Sequence, residues 1–152
     1  MRITVEPLGE SHVRRIAAWH YEPPYDFYDM DVDPGDLEEV LDPERQSRFR
    51  AAVDDSGELV GFYYFVPRAR EVEVGLGLRP DLTGRQLGGS FLEAGLDYAR
   101  QTWTPARFRL HVAAFNTRAI RLYERVGFRI VGSQKRALPL GEYEFLELER
   151  EA

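Results

Sequence analysis

The chain has 152 residues, contains no cysteine, and has few histidines and no long apolar run. Without cysteine there is no disulfide framework, no cysteine-based acyl-enzyme and no cysteine-containing metal site. The three histidines, His12, His20 and His111, have unrelated spacings, so we expect surface or strand-edge positions and no metal. Because no apolar run can span a bilayer and residues 1–6 are typical of a strand rather than a signal sequence, we expect a cytoplasmic protein with no membrane partner.

Positive charge is also scarce. Lys and Arg total 20 against 26 Asp and Glu, which gives a net charge of -6. This balance argues against a surface that tracks phosphates, so nucleic acid is not an expected partner. The length suits one core, and we see no repeat, linker or low-complexity segment. We therefore predict a single domain over residues 1–152.

Hydrophobic periodicity predicts alternating strands and helices. Strands are expected over residues 2–6, 49–53, 59–67, 72–78, 108–112, 129–134 and 143–149, with residues 54–57 as a hairpin turn. A first helix should follow Gly9 and direct Val13, Ile16, Ala17 and His20 to one side. The predicted fold class is therefore α/β (α+β), with one open, twisted, mixed and mostly antiparallel sheet that has helices on both faces.

Residues 71–101 combine a strand, a glycine-containing turn and a helix. Residues 71–78 alternate in the period of a strand, and an apolar stripe through Leu87, Phe91, Leu92 and Leu96 predicts a helix to about residue 101. The first N–H groups of a helix have no internal partners and favour an anion. Gly84, Gly88 and Gly89 would let a phosphate approach the backbone, although such a turn is more often a tight connection.

Residues 116–128 carry a helix start, a helix stop and one inward hydroxyl. Asn116 is a good N-cap and Gly127 a good terminator. Tyr123 shares the apolar face of this helix, so its phenol is either a core hydroxyl bonded to a carbonyl or a proton donor.

Together the two segments resemble the GNAT superfamily of acyl-CoA N-acyltransferases. Its members have a strand ending like Leu76-Gly-Leu-Arg-Pro80, an Arg/Gln-x-x-Gly-x-Gly/Ala loop, and then Asn-x-x-Ala-x-x-x-Tyr-x-x-x-Gly-Phe, here Asn116, Ala119, Tyr123, Gly127 and Phe128. Thr83 stands where Arg or Gln is usual and Gln86 where a glycine is usual. Either Gln86 is already helical and its side chain is tolerated, or the register from Arg85 to Gly88 supplies the basic residue one turn later.

The resemblance implies a GNAT-like domain that transfers an acetyl group from acetyl-CoA, as acyl donor, to the amine of a small molecule or peptide, with no metal. It implies a ternary complex, since no cysteine nucleophile exists. The residues implied to bind the cofactor are Leu76, Gly77, Leu78, Thr83, Gly84, Arg85, Gln86, Leu87, Gly88, Gly89, Ser90, Asn116 and Tyr123. Backbone N–H groups of Leu76 or Leu78 would bind the oxyanion.

N-acylation needs an acid and a base. A phenol stays protonated at neutral pH, so Tyr123 is the matched acid for the thiolate of CoA. Glu73 is the predicted base, acting through water, with Glu71 as the second choice on the same face of the strand. An exposed, solvated carboxylate is the alternative for both.

The segment 21–42 is rich in aromatic and acidic residues. Its prolines exclude a continuous helix, and four aromatics in eight positions are unusual for a loop that only connects elements. In the resembled family the segment after the first helix often lines the acceptor pocket, which implies this role for Tyr25, Phe27 and Tyr28. The carboxylates of Asp26, Asp29, Asp31 and Asp33 would attract a cationic amine. Alternatively these aromatics cover the core and the carboxylates are solvated.

Two other readings of the chain stay open. One is an acyl-CoA-binding sensor, and the other is a non-catalytic module whose sheet edge at residues 143–149 pairs with another chain. Leu138, Pro139, Leu140 and the last strand also offer surfaces for a homodimer.

Overall fold

The structure, a computed structural model, describes residues 2–29 and 42–152. The strands are β1 (Thr4–Pro7), β2 (Phe49–Val53), β3 (Leu59–Pro67), β4 (Glu71–Leu78), β5 (Arg107–Ala113), β6 (Arg129–Leu138) and β7 (Gly141–Glu151). The α-helices are α1 (Glu10–Ala17), α2 (Pro43–Gln46), α3 (Gly88–Trp103) and α4 (Thr117–Arg125), and 3-10 helices cover Tyr25–Tyr28 and Pro80–Leu82. Within the described ranges, no helix combines the length and apolar character that crossing a membrane requires.

The seven strands form one mixed sheet in the order β1-β2-β3-β4-β5-β7-β6. Strands β4 and β5 pair parallel, whereas β1 with β2, β2 with β3, β5 with β7 and β6 with β7 pair antiparallel. The predicted α/β class with a mostly antiparallel sheet is confirmed. The prediction of a free sheet edge at residues 143–149 is wrong. Strand β7 pairs with β5 on one side and with β6 on the other, so β6 is the edge strand.

The chain divides into two compact units, Met1–Tyr64 with Leu76–Phe91, and Phe65–Gly75 with Leu92–Ala152. The first unit has a core of buried side chains from α1, β2, β3 and the residue after β1: Leu8, Val13, Ile16, Phe49, Ala51 and Leu59. Val13 and Ile16 lie one turn apart on α1, as the apolar spacing predicts. His20 does not share that face, because the helix ends at Ala17 and the His20 side chain is 61% exposed.

Close packing in the first unit fixes the end of β4 and the start of α3. The Tyr63 hydroxyl donates to the Phe91 carbonyl at 2.5 Å, and the two rings stack with centroids 4.6 Å apart. A Cβ atom on Gly61 would lie 2.6 Å from the Gly77 carbonyl oxygen, and one on Gly77 would overlap the Phe62 ring. Larger residues at these two glycines would therefore push β3 and β4 apart.

The second unit has its own core beneath β4, β5 and β7. Its fully buried side chains are Phe65, Val72, Leu92, Leu96, Phe108, Leu110 and Leu148. The Phe65 ring stacks on Tyr98 at 5.5 Å and tilts against Trp103 at 5.4 Å, so the last turns of α3 cover β3. The opposite faces of β4, β5 and β7 carry charged side chains, and these strands position the groups described next.

Candidate active site

The start of α3 receives no side-chain cap from Leu87, the residue that precedes it. Its first helical bond runs from the Phe91 N–H to the Leu87 carbonyl at 3.0 Å. Leu87 has no side-chain oxygen to cap the N–H groups that precede Phe91, and the first helical turn holds no acidic residue. Gly88 and Gly89 add no side chain over these donors. This end of the helix therefore suits an anionic group, as the sequence predicts.

The turn that leads into α3 adopts a left-handed backbone at two positions. Gly84 has φ of 73° and Gln86 has φ of 61°. Gln86 is therefore not helical, so a helical backbone does not explain how its side chain is accommodated at this position. It instead adopts the backbone conformation that a glycine would adopt more easily, at a steric cost for an L residue. Gly84, Arg85 and Gln86 are all exposed, so the turn is open to solvent.

The two hydroxyls of this region are directed at the chain itself. The Thr83 hydroxyl donates to the Pro80 carbonyl at 2.7 Å, and the Ser90 hydroxyl donates to the Leu87 carbonyl at 3.1 Å. Neither hydroxyl proton is available to an anion in this arrangement. Backbone N–H groups and the exposed guanidinium of Arg85 are the remaining donors, which favours the register that begins at Arg85.

Leu76, Gly77 and Leu78 form the end of β4, and all three residues are half-buried. The Tyr21 hydroxyl donates to the Leu78 carbonyl at 2.9 Å, and burial raises the pKa of this phenol, so the bond persists well above neutral pH. The Arg79 N–H donates to the Val60 carbonyl at 2.8 Å, which holds the next residue too. The backbone at this strand end is therefore rigid, as an oxyanion site requires.

The predicted acceptor aromatics lie on one short 3-10 helix. Tyr25, Phe27 and Tyr28 are half-buried, and the Phe27 and Tyr28 rings meet edge to face at 5.1 Å. Asp26 is exposed, whereas Asp29 is buried and 6% exposed.

Asp29 has a structural role that the sequence did not indicate. Its carboxylate accepts from the Tyr21 N–H at 2.8 Å and lies 3.0 Å from His20 Nδ1. It fixes the start of the aromatic segment and faces away from solvent. The predicted contributions of Asp31 and Asp33 lie outside the described residues.

Helix α4 has the start and stop that the sequence predicts. The Asn116 side chain accepts from the Ala119 N–H at 3.2 Å. At the other end Gly127 has φ of 99°, and N–H groups of Gly127 and Phe128 donate to the carbonyls of Glu124 and Tyr123 at 3.1 and 2.9 Å. This pair of bonds is a Schellman motif, which requires a residue that tolerates positive φ.

Tyr123 lies on the buried face of α4, where the spacing predicts it. Its side chain is 9% exposed and its ring meets Phe128 edge to face at 6.2 Å. Asn116 is thus confirmed as a cap and Tyr123 as an inward residue, while their roles toward a ligand stay predictions.

The two predicted bases on β4 have different surroundings. Glu71 pairs with Arg109 Nε at 2.8 Å and is committed to an ion-pair network that also includes Glu147 and Glu149. Glu73 lies 2.9 Å from His111 Nδ1, with 23% of its side chain exposed. This hydrogen bond from His111 is the main cause that lowers the pKa of Glu73, and burial opposes it.

His111 is the site residue that the sequence reasoning missed. It lies on β5, directly opposite Glu147 on β7, with 21% of its side chain exposed. The prediction of a surface or strand-edge position is wrong, because β5 is paired with both β4 and β7. The available signal was the alternation of residues 108–112, which directs Arg109 and His111 to the polar face that also holds Glu71 and Glu73. Among residues 2–29 and 42–152, no group of three or more His, Asp or Glu side chains has an arrangement that could hold a metal ion.

Comparison with known proteins gives a consistent result. Residues 11–128 match the family model described as Acetyltransferase (GNAT) family. The chain is 36% identical over 124 residues to a mycothiol acetyltransferase of Acidimicrobium ferrooxidans, which covers 75% of this chain and 37% of that protein. Relatives of this kind are much longer, and the match to one from Salinispora arenicola covers only 28% of it. The chain thus spans well under half the length of these relatives.

Solved structures share the fold. A spermidine N-acetyltransferase chimera from Vibrio cholerae and hSSAT superposes with a TM-score of 0.81 at 19% identity, covering 99% of this chain and 96% of that one. The Vibrio cholerae spermidine N-acetyltransferase in complex with CoA and spermine gives a TM-score of 0.71 at 20% identity, covering 98% and 95%. At these identities the likeness establishes the fold.

Proposed function

The chain belongs to the acetyltransferase (GNAT) family, and from this premise we propose that it transfers an acetyl group from acetyl-CoA to a primary amine. The observation that carries the proposal is the glycine-rich start of α3, which offers backbone N–H donors to an anion and has no acidic side chain in its first turn. The pyrophosphate of acetyl-CoA is an anion of this kind, so the residues present fit it.

For cofactor binding we propose the turn and first helical residues from Thr83 to Ser90. Backbone N–H groups of Gly88, Gly89 and Ser90 would bind phosphate oxygens, and the Arg85 guanidinium would add a charged contact. Thr83, Gly84, Gln86 and Leu87 contribute through the path of their backbone. Asn116 contributes mainly by fixing the start of α4, because its Oδ1 already accepts from Ala119.

The acetyl group would sit at the end of β4. We propose that the N–H of Leu76 or Leu78 stabilises the charge that develops on the carbonyl oxygen, with Gly77 between them. The Tyr21 bond to the Leu78 carbonyl supports this role, because it restrains the peptide group that directly follows the Leu78 N–H before any substrate binds.

Tyr123 is the proposed general acid. Acetyl-CoA supplies a thioester, and when the amine displaces it the sulfur leaves as a thiolate that needs a proton. A phenol, whose ordinary pKa is near 10, carries that proton at neutral pH. The buried face of α4 keeps the Tyr123 ring in one orientation, through its contact with Phe128.

We propose that Glu73 and His111 together remove a proton from the ammonium group of the acceptor. Glu73 is the carboxylate that the sequence predicts, and His111 is its hydrogen-bonded partner. Glu71 is the weaker candidate, since its carboxylate is held by Arg109. Because the chain has no cysteine, attack by the amine in a ternary complex is the proposed order.

For the acceptor we propose a primary amine of a small molecule or peptide, bound against Tyr25, Phe27 and Tyr28. The aromatic faces suit an alkyl chain or a cation. The relatives are named for mycothiol and one solved structure of this fold holds spermine, so amines of both kinds belong in the test panel.

A homodimer is part of the proposal. Ile130, Val131 and Leu140 are large apolar residues that are 47%, 44% and 58% exposed, and they lie on β6 or the turn that follows it. Since β6 is an edge strand, a second copy would cover it. Sedimentation velocity should then give twice the monomer mass, and Val131→Lys should return the monomer.

The function is tested by ligand-induced stabilisation and by thiol release. A ligand at about 100 times its Kd stabilises a protein by roughly 2.7 kcal/mol, so acetyl-CoA should clearly raise the Tm. Thiol release over the amine panel should then identify an acceptor. Arg85→Ala should weaken acetyl-CoA binding, whereas Arg14→Ala, at a 74% exposed arginine of α1, is the matched control. No stabilisation at millimolar acetyl-CoA contradicts the proposal, and stabilisation without turnover indicates a sensor.

A further inference from the structure

His111 lies between two carboxylates on the charged face of the second unit. Its Nδ1 is 2.9 Å from Glu73 Oε1 on β4, and its Nε2 is 3.6 Å from Glu147 Oε1 on β7. The imidazole thus has a carboxylate on each side, and its residue pairs with Glu147 across β5 and β7.

The contact with Glu73 defines which nitrogen can accept a proton. An ionised carboxylate only accepts hydrogen bonds, so the 2.9 Å contact requires a proton on Nδ1. A neutral imidazole has one N–H, which leaves the lone pair on Nε2. This is the arrangement in which a carboxylate orients a histidine so that its second nitrogen acts as a base.

We propose that His111 Nε2 is the general base that takes the proton of the acceptor amine through one water, with Glu73 as its positioning residue and Glu147 as the partner of the imidazolium. The inference rests on the proposed acetyltransferase function and refines it, because it exchanges the roles of Glu73 and His111.

The proton and electron balance is complete with these groups. The ammonium gives a proton to water as that water gives one to Nε2, and the freed nitrogen lone pair forms the C–N bond. The C–S bond breaks, and the sulfur takes its proton from Tyr123. The resulting phenolate takes up the second proton of the attacking nitrogen, which becomes the amide N–H. His111 then gives its proton to solvent, so one proton is released overall.

Charge around the pair supports this division of roles. The His111 hydrogen bond and the charges of Arg68 and Arg136 hold the pKa of Glu73 below its usual range, so Glu73 is a weak base. A neutral imidazole is a common general base in enzymes that work near neutral pH. On the other side Glu147 pairs with Arg109 and lies 3.6 Å from His111 Nε2, where its carboxylate can stabilise an imidazolium.

The experiment is the pH profile of kcat at saturating substrates. The wild type should lose activity as pH falls through one acidic ionisation. His111→Gln and His111→Asn should lower kcat by about 100-fold or more, the usual value of a general base, and remove that ionisation. His111→Asn tests a variant in which an amide can still bond to Glu73, so that a folding defect is separated from loss of the base. Imidazole added to His111→Ala should restore part of kcat.

Carboxylate variants separate the base from its partners. Glu147→Gln should move the acidic ionisation to lower pH, because the imidazolium loses a counter-charge. Glu149→Gln is the matched control on the same strand, since Glu149 pairs with Arg109 and Arg129 and has no contact with His111.

Three outcomes decide the inference. The inference is supported if the acidic ionisation disappears from the kcat profile of the His111 variants, and if it moves to lower pH in Glu147→Gln but not in Glu149→Gln. Retention of the ionisation in folded His111→Asn, or its loss only in Glu73→Gln, overturns it and leaves Glu73 as the base. If the wild-type protein binds acetyl-CoA but releases no thiol with any amine, the proposed function is overturned instead. In that case there is no kcat whose pH dependence could be measured.

Discussion

Replacing Gln86 by glycine tests how the turn before α3 is built. Gln86 has φ of 61°, a conformation that costs an L residue roughly 1–2 kcal/mol. Glycine removes this cost but adds unfolded-chain entropy of about 0.5–1 kcal/mol. We therefore expect Gln86→Gly to raise the free energy of unfolding by about 0.5–1 kcal/mol. For a chain of this size that corresponds to a Tm increase of very roughly 1–4 °C.

The same substitution should also strengthen cofactor binding. Gln86 is exposed in the turn proposed to hold the pyrophosphate, and glycine would open the backbone N–H groups beside it. We expect the Kd for acetyl-CoA to fall by about three- to tenfold, a gain of roughly 0.7–1.4 kcal/mol. Isothermal titration calorimetry measures the Kd, and urea denaturation of the ligand-free protein measures stability.

Thr104→Gly is the matched control. Thr104 also has a positive φ, 48°, but it follows the C-terminal end of α3. This variant should gain stability in the same way and leave the Kd unchanged. If Gln86→Gly destabilises the protein, the strain argument is wrong. If both variants change the Kd equally, the turn at Gln86 is not the cofactor site.

Three further predictions concern α4 and β4. Tyr123→Phe should lower kcat by about 100-fold or more through loss of the general acid, while Tyr98→Phe, the control on α3, should keep wild-type kcat in the thiol-release assay. Asn116→Ala removes the acceptor of the Ala119 N–H and should cost about 1 kcal/mol of stability in urea denaturation. Because the folded pKa of Glu73 is lowered, its ionised form adds stability above the unfolded carboxyl pKa and loses it as the pH falls through the folded pKa. Glu73→Gln should therefore lower the Tm near neutral pH, and the difference should vanish in acid; an equal difference at both pH values would contradict the shift.

Local signals account for the elements that the sequence predicts well. The bounds of β2 and β3 are those expected, because alternating apolar residues and the turn at residues 54–57 define them. Asn116 and Gly127 likewise fix α4 through short-range bonds to Ala119 and Glu124. Each of these signals acts within a few residues, so no knowledge of the rest of the fold is needed.

Non-local pairing accounts for what the sequence does not predict. Glu73 and His111 are brought together by the parallel pairing of β4 with β5. Nothing in either segment alone indicates that contact, and the histidine is therefore missed. The position of β7 between β5 and β6 is likewise set by pairing with β5, a strand that is distant in the sequence.

Backbone strain is a second limit on prediction from sequence. A glutamine in the sequence does not indicate a positive φ, since residues other than glycine strongly favour a negative φ. Gln86 adopts it because the turn needs that shape, as Gly84 does two residues earlier. The turn before α3 is thus where the sequence predicts it, whereas the backbone conformation of Gln86 is not predicted.

The measurement that tests the central claim most directly is acetyl-CoA-dependent thiol release by the wild-type chain over a panel of primary amines, with Tyr123→Phe beside it. The account predicts stoichiometric formation of CoA thiol and N-acetylated amine, with kcat in Tyr123→Phe reduced by about 100-fold while acetyl-CoA still stabilises the variant. Thiol release that is equal in both proteins, or absent with every amine, would contradict it.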